Sequence, residues 1–214
     1  MRRALFLLAL MALTFTSTHI QGIGMTPAAT IGPDTALVVI DIQNFYFEKG
    51  SLPLVGPIEA ARQARRVLDA FRAKHLTVIH VRHASKSTSF IDGEPTDPQY
   101  RFHTEVLPAP GEKIVTKHYA NSFRETDLLD FLKQKGIKNL VIVGMQTHMC
   151  VEAGARAATD LGFGVTVLAD ACATRALTYG DRTVPADMVH AAALAAVNGT
   201  YGRVVSVEQF LKEM

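Results

Sequence analysis

The sequence predicts a single α/β domain in which six parallel strands form a sheet with helices on both faces. Short apolar, β-branched runs alternate along the chain with longer segments of helical periodicity, and this alternation is typical of parallel sheets. Each predicted strand is apolar throughout, as expected of strands that are covered on both faces. The 214 residues suit one domain, and neither an internal repeat nor a linker divides them.

The predicted elements follow one another in a regular order. Strands are predicted, in chain order, over residues 35–43, 76–83, 113–117, 139–144, 164–170 and 203–207. Helices are predicted over residues 57–75, 126–136, 147–161, 185–200 and 208–214. The long segment 84–112 is rich in proline and polar residues, and we expect an irregular loop that acts as a lid or a pocket wall.

The composition is that of a globular protein. Hydrophobic residues make up 48% of the chain and charged residues 20%, and the net charge is +2. The basic residues form no block, so we expect no nucleic-acid partner.

The first 24 residues have the layout of a secretory signal. Arg2 and Arg3 precede an apolar run that is too short to span a bilayer, and polar residues follow it. We therefore predict a signal peptide over residues 1–24, a periplasmic or secreted mature protein without a membrane attachment, and a functional domain over residues 35–214. A misassigned start or an interfacial anchor helix is the alternative interpretation, and no A-x-A pattern marks a cleavage site.

Several residues that can carry chemistry stand at or just after the ends of predicted strands. In a parallel α/β sheet, ligands bind beyond the carboxyl ends of the strands. The residues at those ends are Asp41, His83, Lys117, Cys150 and Asp170. We therefore expect an acid, a base and a thiol at one edge of the sheet.

Cys150 lies between the fourth predicted strand and a helix, in "VGMQTHMCVEA". Thr147 is predicted to cap this helix, which puts Cys150 in the first turn, where unpaired amides and the helix dipole stabilise an anion. Such a thiolate would be nucleophilic at neutral pH, with Lys117 as a second positive charge and Asp41 as a proton acceptor. Backbone amides near Gln146 and Cys150 could bind the oxyanion of an attacked carbonyl group.

The same residues also have structural interpretations. A cysteine after a strand is commonly a small buried hydrophobe, a carboxylate there can cap a loop, and a lysine can be a solvated edge charge. Cys172 is interpreted as a buried structural thiol, and no disulfide between it and Cys150 is expected. His190 and Met188, on the last long helix, are interpreted as packing residues.

The chain closely resembles the isochorismatase-like cysteine hydrolase superfamily in four stretches: "VVIDIQNFYF", "KHYANSF", "GMQTHMCVEAGARAATDLGFGVTVLADACATR" and "MVHAAALAAVNGTYGRVVS". The resemblance extends over nearly all of residues 35–211 and keeps the family's order of motifs. It implies a six-stranded parallel sheet and a catalytic triad of Asp41, Lys117 and Cys150. It also implies a cis peptide bond between Met145 and Gln146, and a homo-oligomer that assembles through the late helices.

Four residues are predicted to contact a small-molecule substrate: Phe47, His83, Ser122 and His148. Phe47 belongs to an aromatic run after the first strand that suits either a pocket wall or core packing. Ser122 follows the third strand and could border the pocket. His148 could form a pocket wall or a hydrogen bond behind the site, or it could be an exposed residue of the first helical turn.

No metal ion or other cofactor is expected. The resemblance implies that nicotinamidases of this superfamily bind a metal through an Asp-x-His pair and a second histidine, whereas this chain reads "HVRHAS" at the comparable strand end. His80 and His83 are three residues apart on a strand and therefore point to opposite faces, so they cannot chelate one ion without distortion.

These interpretations predict a cofactor-free cysteine hydrolase that cleaves a C–N bond, amide or carbamoyl, of a small molecule through a thioester intermediate. Two alternatives stay open. One is isochorismatase-type hydrolysis of a vinyl ether, which does not require the cysteine. The other is a non-catalytic, oligomeric binding protein on the same fold. A nucleotide-binding protein is disfavoured because no G-x-G-x-x-G follows the first strand.

Overall fold

The computed structural model describes residues 31–214, so the predicted signal peptide lies outside the described residues. This range contains ten strands and five α-helices. The strands are β1 (Thr35–Ile40), β2 (Thr77–His83), β3 (Phe90–Ile91), β4 (Glu94–Pro95), β5 (Lys113–Lys117), β6 (Asn139–Met145), β7 (Gly164–Ala173), β8 (Leu177–Tyr179), β9 (Arg182–Val184) and β10 (Arg203–Val205). The helices are α1 (Pro57–Ala73), α2 (Leu128–Gln134), α3 (Glu152–Asp160), α4 (Ala186–Val197) and α5 (Val207–Glu213). None of these helices is long and apolar enough to cross a membrane.

Six of the strands form one parallel sheet in the order β10–β7–β6–β1–β2–β5, which confirms the predicted fold class. β1 lies inside the sheet, between β2 and β6, and all its residues are buried. Because successive side chains of a strand point to opposite faces, Leu37 and Val39 belong to one hydrophobic core, and Val38 and Ile40 to the other.

Helices cover both faces of the sheet. α1 and α5 pack on one face, where the rings of Phe71 and Phe210 stack with their centroids 6.2 Å apart. α2, α3 and α4 contribute Leu132, Ala155 and Val197 to the core on the other face. Burying one large apolar side chain contributes about 1.5–3 kcal/mol, so these two cores hold the three layers together.

Two strands of the sheet end three residues away from their predicted ends, at positions that affect residues expected in the site. β1 ends at Ile40, earlier than predicted, because the chain leaves the sheet at Asp41. β7 continues to Ala173, beyond its predicted end, so Asp170 lies within the strand. Asp170 Oδ1 accepts a hydrogen bond from Val207 N at 2.7 Å and so supports the start of α5. The prediction that Asp170 stands at the carboxyl end of this strand is therefore wrong.

Two small antiparallel hairpins were not predicted. β3–β4 lies within segment 84–112, which also contains short 3₁₀ turns at Pro98–Tyr100 and Thr104–Val106. This segment is therefore structured rather than irregular. β8–β9 lies between β7 and α4. With strands of two or three residues, neither hairpin is long enough to show a periodic pattern in the sequence.

Arg82 of β2 holds the hairpin in segment 84–112 against the sheet. Its Nη2 donates to Gly93 O at 2.5 Å, and its Nε donates to Thr116 Oγ1 at 3.0 Å. The guanidinium also lies 4.9 Å from the centre of the Phe90 ring. Arg82 is buried, and these contacts replace part of the water that its polar head would otherwise bind, while Nη1 lies 3.6 Å from Glu94 Oε1 without a hydrogen bond.

Glu112 anchors the end of the same segment with four hydrogen bonds. Arg72 of α1 donates from Nε at 2.7 Å and from Nη2 at 2.8 Å, and Ala109 N donates at 2.7 Å. His80 Nε2 lies 2.8 Å from Oε2 and must be the donor, because an ionised carboxylate only accepts. Burial raises the pKa of Glu112, but these donors outweigh burial and lower the pKa to about 2.

We expect Glu112→Gln to lower the free energy of unfolding at neutral pH. We also expect this free energy to fall less steeply in acid than it does in the wild type. Because the folded-state pKa of Glu112 lies below its ordinary value of 4.5, its stabilising effect is complete above that value and is lost as the pH falls towards 2. At pH 7 the variant should lose about 1.5–3 kcal/mol of the free energy of unfolding, the range for hydrogen bonds to charged groups. Urea unfolding followed by circular dichroism, from pH 7 down to acid, measures both effects.

Glu105→Gln is the matched control. Glu105 forms an ion pair with Arg62 at 3.7 Å, and both side chains are partly exposed. The control should change the free energy of unfolding by no more than about 1 kcal/mol. Equal losses in the two variants, or an unchanged acid dependence in Glu112→Gln, would contradict the assigned role of Glu112.

Candidate active site

Three strand ends bring an acid, an amine and a thiol together at the carboxyl edge of the sheet. Asp41 follows β1, Lys117 ends β5, and Cys150 follows β6. Lys117 Nζ donates to Asp41 Oδ2 at 2.7 Å and to Cys150 Sγ at 3.3 Å. Asp41 and Lys117 are fully buried, and Cys150 is 6% exposed. These three residues are called the Asp–Lys–Cys cluster below.

Asp41 reaches the cluster because the chain turns sharply after β1. Its φ is +50°, in the left-handed region that few residues other than glycine, asparagine and aspartate adopt. The turn is closed by Gln43 N, which donates to Asp41 O at 2.9 Å. Oδ2 of Asp41 faces Lys117, whereas Oδ1 is buried and has no hydrogen-bond partner among residues 31–214. Oδ1 is therefore free to accept a proton.

Lys117 carries a fully buried ammonium group, and each of its three N–H groups donates a hydrogen bond. Its three acceptors are Asp41 Oδ2, Cys150 Sγ and Tyr119 O, the last at 3.1 Å. Burial alone would lower the pKa of Lys117, but the Asp41 carboxylate and the Cys150 sulfur outweigh burial and raise it. Lys117 therefore carries a permanent positive charge beside the thiol.

The end of β6 approaches the end of β1 very closely. Gly144 has a φ of +140°, and a Cβ atom at this position would lie 2.0 Å from Ile40 O. Only glycine fits there, because any other residue would overlap the backbone of β1. The peptide bond between Met145 and Gln146 is cis, as expected.

Cys150 lies in a single π turn, Thr147–Val151, which precedes α3. The predicted capping by Thr147 is wrong, because no side chain caps this turn. Thr147 Oγ1 instead lies 2.9 Å from Nδ1 of His190 on α4. His190, interpreted from the sequence as a packing residue, therefore also ties α4 to the turn that holds the thiol.

The thiol of Cys150 keeps its proton in this environment. Burial raises its pKa, the Asp41 carboxylate raises it further, and the Lys117 ammonium lowers it, with a resulting pKa of about 12. Burial and the Asp41 carboxylate together outweigh the positive charge of Lys117, so the pKa of Cys150 is shifted opposite to the direction expected of a cysteine at a helix start. A base is needed to remove this proton during a reaction, and the Asp41 carboxylate is close enough to the thiol to raise its pKa.

Two of the predicted substrate-binding residues lie beside the cluster. His83 is half-buried at the end of β2, close enough to Asp41 and Lys117 for both charges to act on it, and burial is the main cause of its lowered pKa. His148 is half-buried in the π turn, and its Nδ1 lies 2.6 Å from Thr174 Oγ1, just after β7. His148 is therefore held against the end of β7, and the interpretation as an exposed residue is wrong.

The other two residues of that prediction pack against neighbouring elements. Phe47 stacks on His103 of segment 84–112, with ring centroids 3.7 Å apart and an angle of 12° between the planes. Ser122 is buried beside Gly154 of α3, and its Oγ has no hydrogen-bond partner among the described residues. Contact of Phe47 or Ser122 with a substrate stays a prediction.

Sequence analysis does not identify the polar roles of three side chains near the cluster. Gln146 Nε2 donates to the Tyr46 hydroxyl at 3.3 Å. Burial raises the pKa of Tyr46, and the Asp41 carboxylate, which must be close, raises it further. Arg175 follows β7, its Nε is buried without a partner among the described residues, and its charge adds to the effect of burial in lowering the pKa of His148. The position of Arg175 after a parallel strand is the signal that could have found it.

The two histidines considered as metal ligands lie in different surroundings. His80 binds Glu112, whereas His83 lies near the cluster. Residues 31–214 contain no group of three or more His, Cys, Asp or Glu side chains placed to hold a metal ion.

A parallel α/β sheet that carries a thiol, a carboxylate and an ammonium group at its carboxyl edge defines the protein as an α/β enzyme equipped for hydrolysis. Comparison with known families narrows this class. Residues 35–209 match the family model described as the Isochorismatase domain. The chain therefore belongs to the isochorismatase family of hydrolases.

Relatives and solved structures agree with this assignment. The isochorismatase family protein YddQ of Bacillus subtilis is 42% identical over 178 residues, which cover 83% of this chain and 99% of YddQ. The crystal structure of an isochorismatase from Pseudomonas putida is similar with a TM-score of 0.76 and 31% identity, covering 83% of this chain and 90% of that one.

Two further relatives have more specific names. The secreted isochorismatase effector Isc1 of Verticillium dahliae is 34% identical over 188 residues, which cover 86% of this chain and 94% of Isc1. The ureidoacrylate amidohydrolase RutB of Stutzerimonas stutzeri is 28% identical over 217 residues, which cover 86% of this chain and 84% of RutB.

We expect Lys117→Met to be strongly destabilising, because it leaves the buried Asp41 carboxylate without its positive partner. Removing one member of a buried ion pair costs about 3–5 kcal/mol. The double variant Asp41→Asn/Lys117→Met should be more stable than Lys117→Met alone, since it no longer buries an unpaired charge. Urea unfolding of the wild type, both single variants and the double variant gives this coupling energy directly.

Lys113→Met provides the control within the same strand. Lys113 pairs with Asp127, which is largely exposed, so its loss should cost no more than about 1 kcal/mol. If Lys117→Met were no more harmful than Lys113→Met, the buried pair would not be important for stability.

Proposed function

We propose that this hydrolase cleaves a C–N bond, amide or carbamoyl, of a small molecule, with Cys150 as the nucleophile and without a cofactor. The observation that carries the proposal is the position of Lys117 Nζ, which contacts both Asp41 Oδ2 and Cys150 Sγ inside a buried cluster. The similarity to the amidohydrolase RutB supports a C–N bond as the target.

The first step in this mechanism couples proton transfer to attack. Cys150 is a neutral thiol before the reaction, so its Sγ attacks the substrate carbonyl carbon as Asp41 accepts the thiol proton. Oδ1 of Asp41 has no other partner among the described residues, which leaves it available for this proton. Lys117 stays charged and stabilises the negative charge that develops on the sulfur.

The substrate carbonyl oxygen then becomes an oxyanion. We assign its stabilisation to backbone amides of the turn that follows Met145, above all those of Gln146 and Cys150. When the oxyanion collapses, the C–N bond breaks and Asp41 returns its proton to the leaving nitrogen, which leaves a thioester on Cys150. Water then attacks the thioester, Asp41 accepts a proton from the water, and that proton returns to the sulfur as the acid product leaves.

Cys150→Ala and Cys150→Ser should abolish hydrolysis while leaving the fold intact, because the acyl group then has no sulfur to bind. The assay is a screen of small amides and ureides against the wild type and both variants. Intact-protein mass spectrometry after rapid acid quench should show the acyl group on Cys150 of the wild type. Full turnover in either variant would rule out the covalent mechanism.

Cys172→Ala is the matched control, because Cys172 is the second free cysteine and lies buried in β7. It should keep wild-type turnover. The same assays separate the two alternatives that the sequence leaves open. Vinyl-ether hydrolysis would survive alkylation of Cys150, and a non-catalytic binding protein would show neither turnover nor an acyl-enzyme.

We further propose that a second copy of the chain covers the outer side of α4. Met188 is 61% exposed on this helix, contrary to the packing role expected from the sequence, and Tyr179 of the neighbouring hairpin is 87% exposed. Together with Val184 they border a largely apolar groove of about 470 Å³. The solvent-facing side of α4 carries Met188 and several alanines beside Asp187, and a largely apolar surface of this kind is normally covered by a partner.

Met188→Lys should convert the oligomer to monomer, because a charge would be buried at the contact. Light scattering coupled to size-exclusion chromatography measures this mass. Leu161→Lys, at a comparably exposed apolar position outside the groove, should leave the mass unchanged. A monomeric wild type at micromolar concentration would rule out the proposed contact.

A further inference from the structure

Gln43 is a fully buried polar residue whose side-chain amide bonds only to backbone groups of two other segments. Its Oε1 accepts from His83 N at 2.8 Å. Its Nε2 donates to His83 O at 3.0 Å and to Tyr100 O at 2.6 Å. One amide therefore joins the chain after β1, the end of β2 and segment 84–112.

These side-chain hydrogen bonds replace two backbone hydrogen bonds between β1 and β2. The two strands pair up to Ile40 and Val81, and Asp41 N still donates to Val81 O at 2.8 Å. If the parallel ladder continued, His83 N would donate to Asp41 O, and His83 O would accept from Gln43 N. Instead Gln43 N donates to Asp41 O within the turn, and the side-chain amide of Gln43 binds both His83 groups.

The exchange has a direct consequence for Asp41. A turn at this point would normally leave the N–H and C=O groups of His83 buried and unpaired, at a cost in free energy. The Gln43 amide removes that cost and so permits the turn in which Asp41 has a φ of +50°. His83 is also in register with Lys117 on β5, so the same amide fixes the end of β1 relative to the strand that carries the ammonium.

We infer that Gln43 is a positioning residue for the proposed reaction. Its side-chain amide replaces two backbone hydrogen bonds between β1 and β2 and thereby holds the Asp41 carboxylate against Lys117 and Cys150. This inference rests on the proposed function only in assigning proton transfer to Asp41. Gln43 itself does not touch the reacting atoms in this mechanism. It acts through the backbone turn that it closes.

The neighbouring residue provides a matched control. Asn44 Nδ2 donates to Pro98 O at 2.9 Å, so Asn44, like Gln43, links the chain after β1 to segment 84–112. The Asn44 side chain makes no hydrogen bond to β2 among the described residues. Gln43→Met and Asn44→Leu are each close to the original side chain in volume. Both remove an anchor of the segment, but only the former removes the bonds to His83.

The first measurement is steady-state kinetics with a small amide that the wild type hydrolyses. Gln43→Met should lower kcat about 100-fold with KM within about threefold of the wild type, the effect of a small misplacement of a catalytic group. Asn44→Leu should keep kcat within about threefold. If Gln43 had only a structural role, kcat would change equally in both variants, or KM would change.

The second measurement needs no substrate and follows the alkylation of Cys150 by iodoacetamide as a function of pH, in a Cys172→Ala background. The groups that act on this thiol are the Asp41 carboxylate, which raises its pKa, and the Lys117 ammonium, which lowers it. Displacing Asp41 should therefore move the alkylation midpoint of Gln43→Met to lower pH by about 0.5–1 unit. Asp41→Asn should move it in the same direction, and Asn44→Leu should leave it in place.

The outcomes are distinct. A wild-type kcat and midpoint in Gln43→Met, or equal changes in Asn44→Leu, would overturn the inference. If no amide is hydrolysed by the wild type but the midpoint still shifts in Gln43→Met alone, the proposed function fails while the positioning of Asp41 by Gln43 is supported. If Gln43→Met does not fold, Gln43→Asn takes its place in both measurements. Its side chain is one methylene shorter, so it should shift the alkylation midpoint in the same direction by a smaller amount.

Discussion

The Lys117 ammonium lies away from water between a carboxylate, a thiol and a backbone carbonyl, and the arrangement of the site depends on it. A buried charge is tolerated only when its partners are close and well oriented. The side-chain partners of Lys117 come from the ends of β1 and β6, and Tyr119 O comes from the chain just after β5. The ammonium group therefore links the ends of three strands, and their relative positions determine whether it can be buried at all.

The site is built where regular pairing of the strands stops. Asp41 leaves β1 through a left-handed turn, Gly144 lets the end of β6 pass close to the backbone of β1, and Cys150 lies in a π turn instead of an ordinary first helical turn. At Asp41 and in the π turn the backbone adopts conformations that are rare elsewhere in proteins. Packing against neighbouring strands and the side-chain amide of Gln43 make these conformations stable.

The sequence was sufficient for the architecture and for the edge at which the site lies. Apolar runs separated by helical segments predict the parallel sheet. The rule for strand ends selects Asp41, Lys117 and Cys150 together with His83 and Asp170, and only the family resemblance singles out the first three. The protonation state of the thiol could not be predicted, because it depends on how deeply the fold buries Cys150 and on the distance to Asp41. The hydrogen bond between Thr147 and His190 could not be predicted either, because it joins residues that are far apart in the sequence.

Segment 84–112 is attached to the body of the protein at several points, among them Gly93, Tyr100 and Glu112. At the first two the bond ends on a main-chain carbonyl, which every amino acid possesses. Elsewhere in the segment many side chains, such as that of Ile91, are exposed and contribute little to holding the segment in place. Their identities can thus diverge while the path of the chain is retained, which would let related enzymes acquire different preferences over one unchanged scaffold.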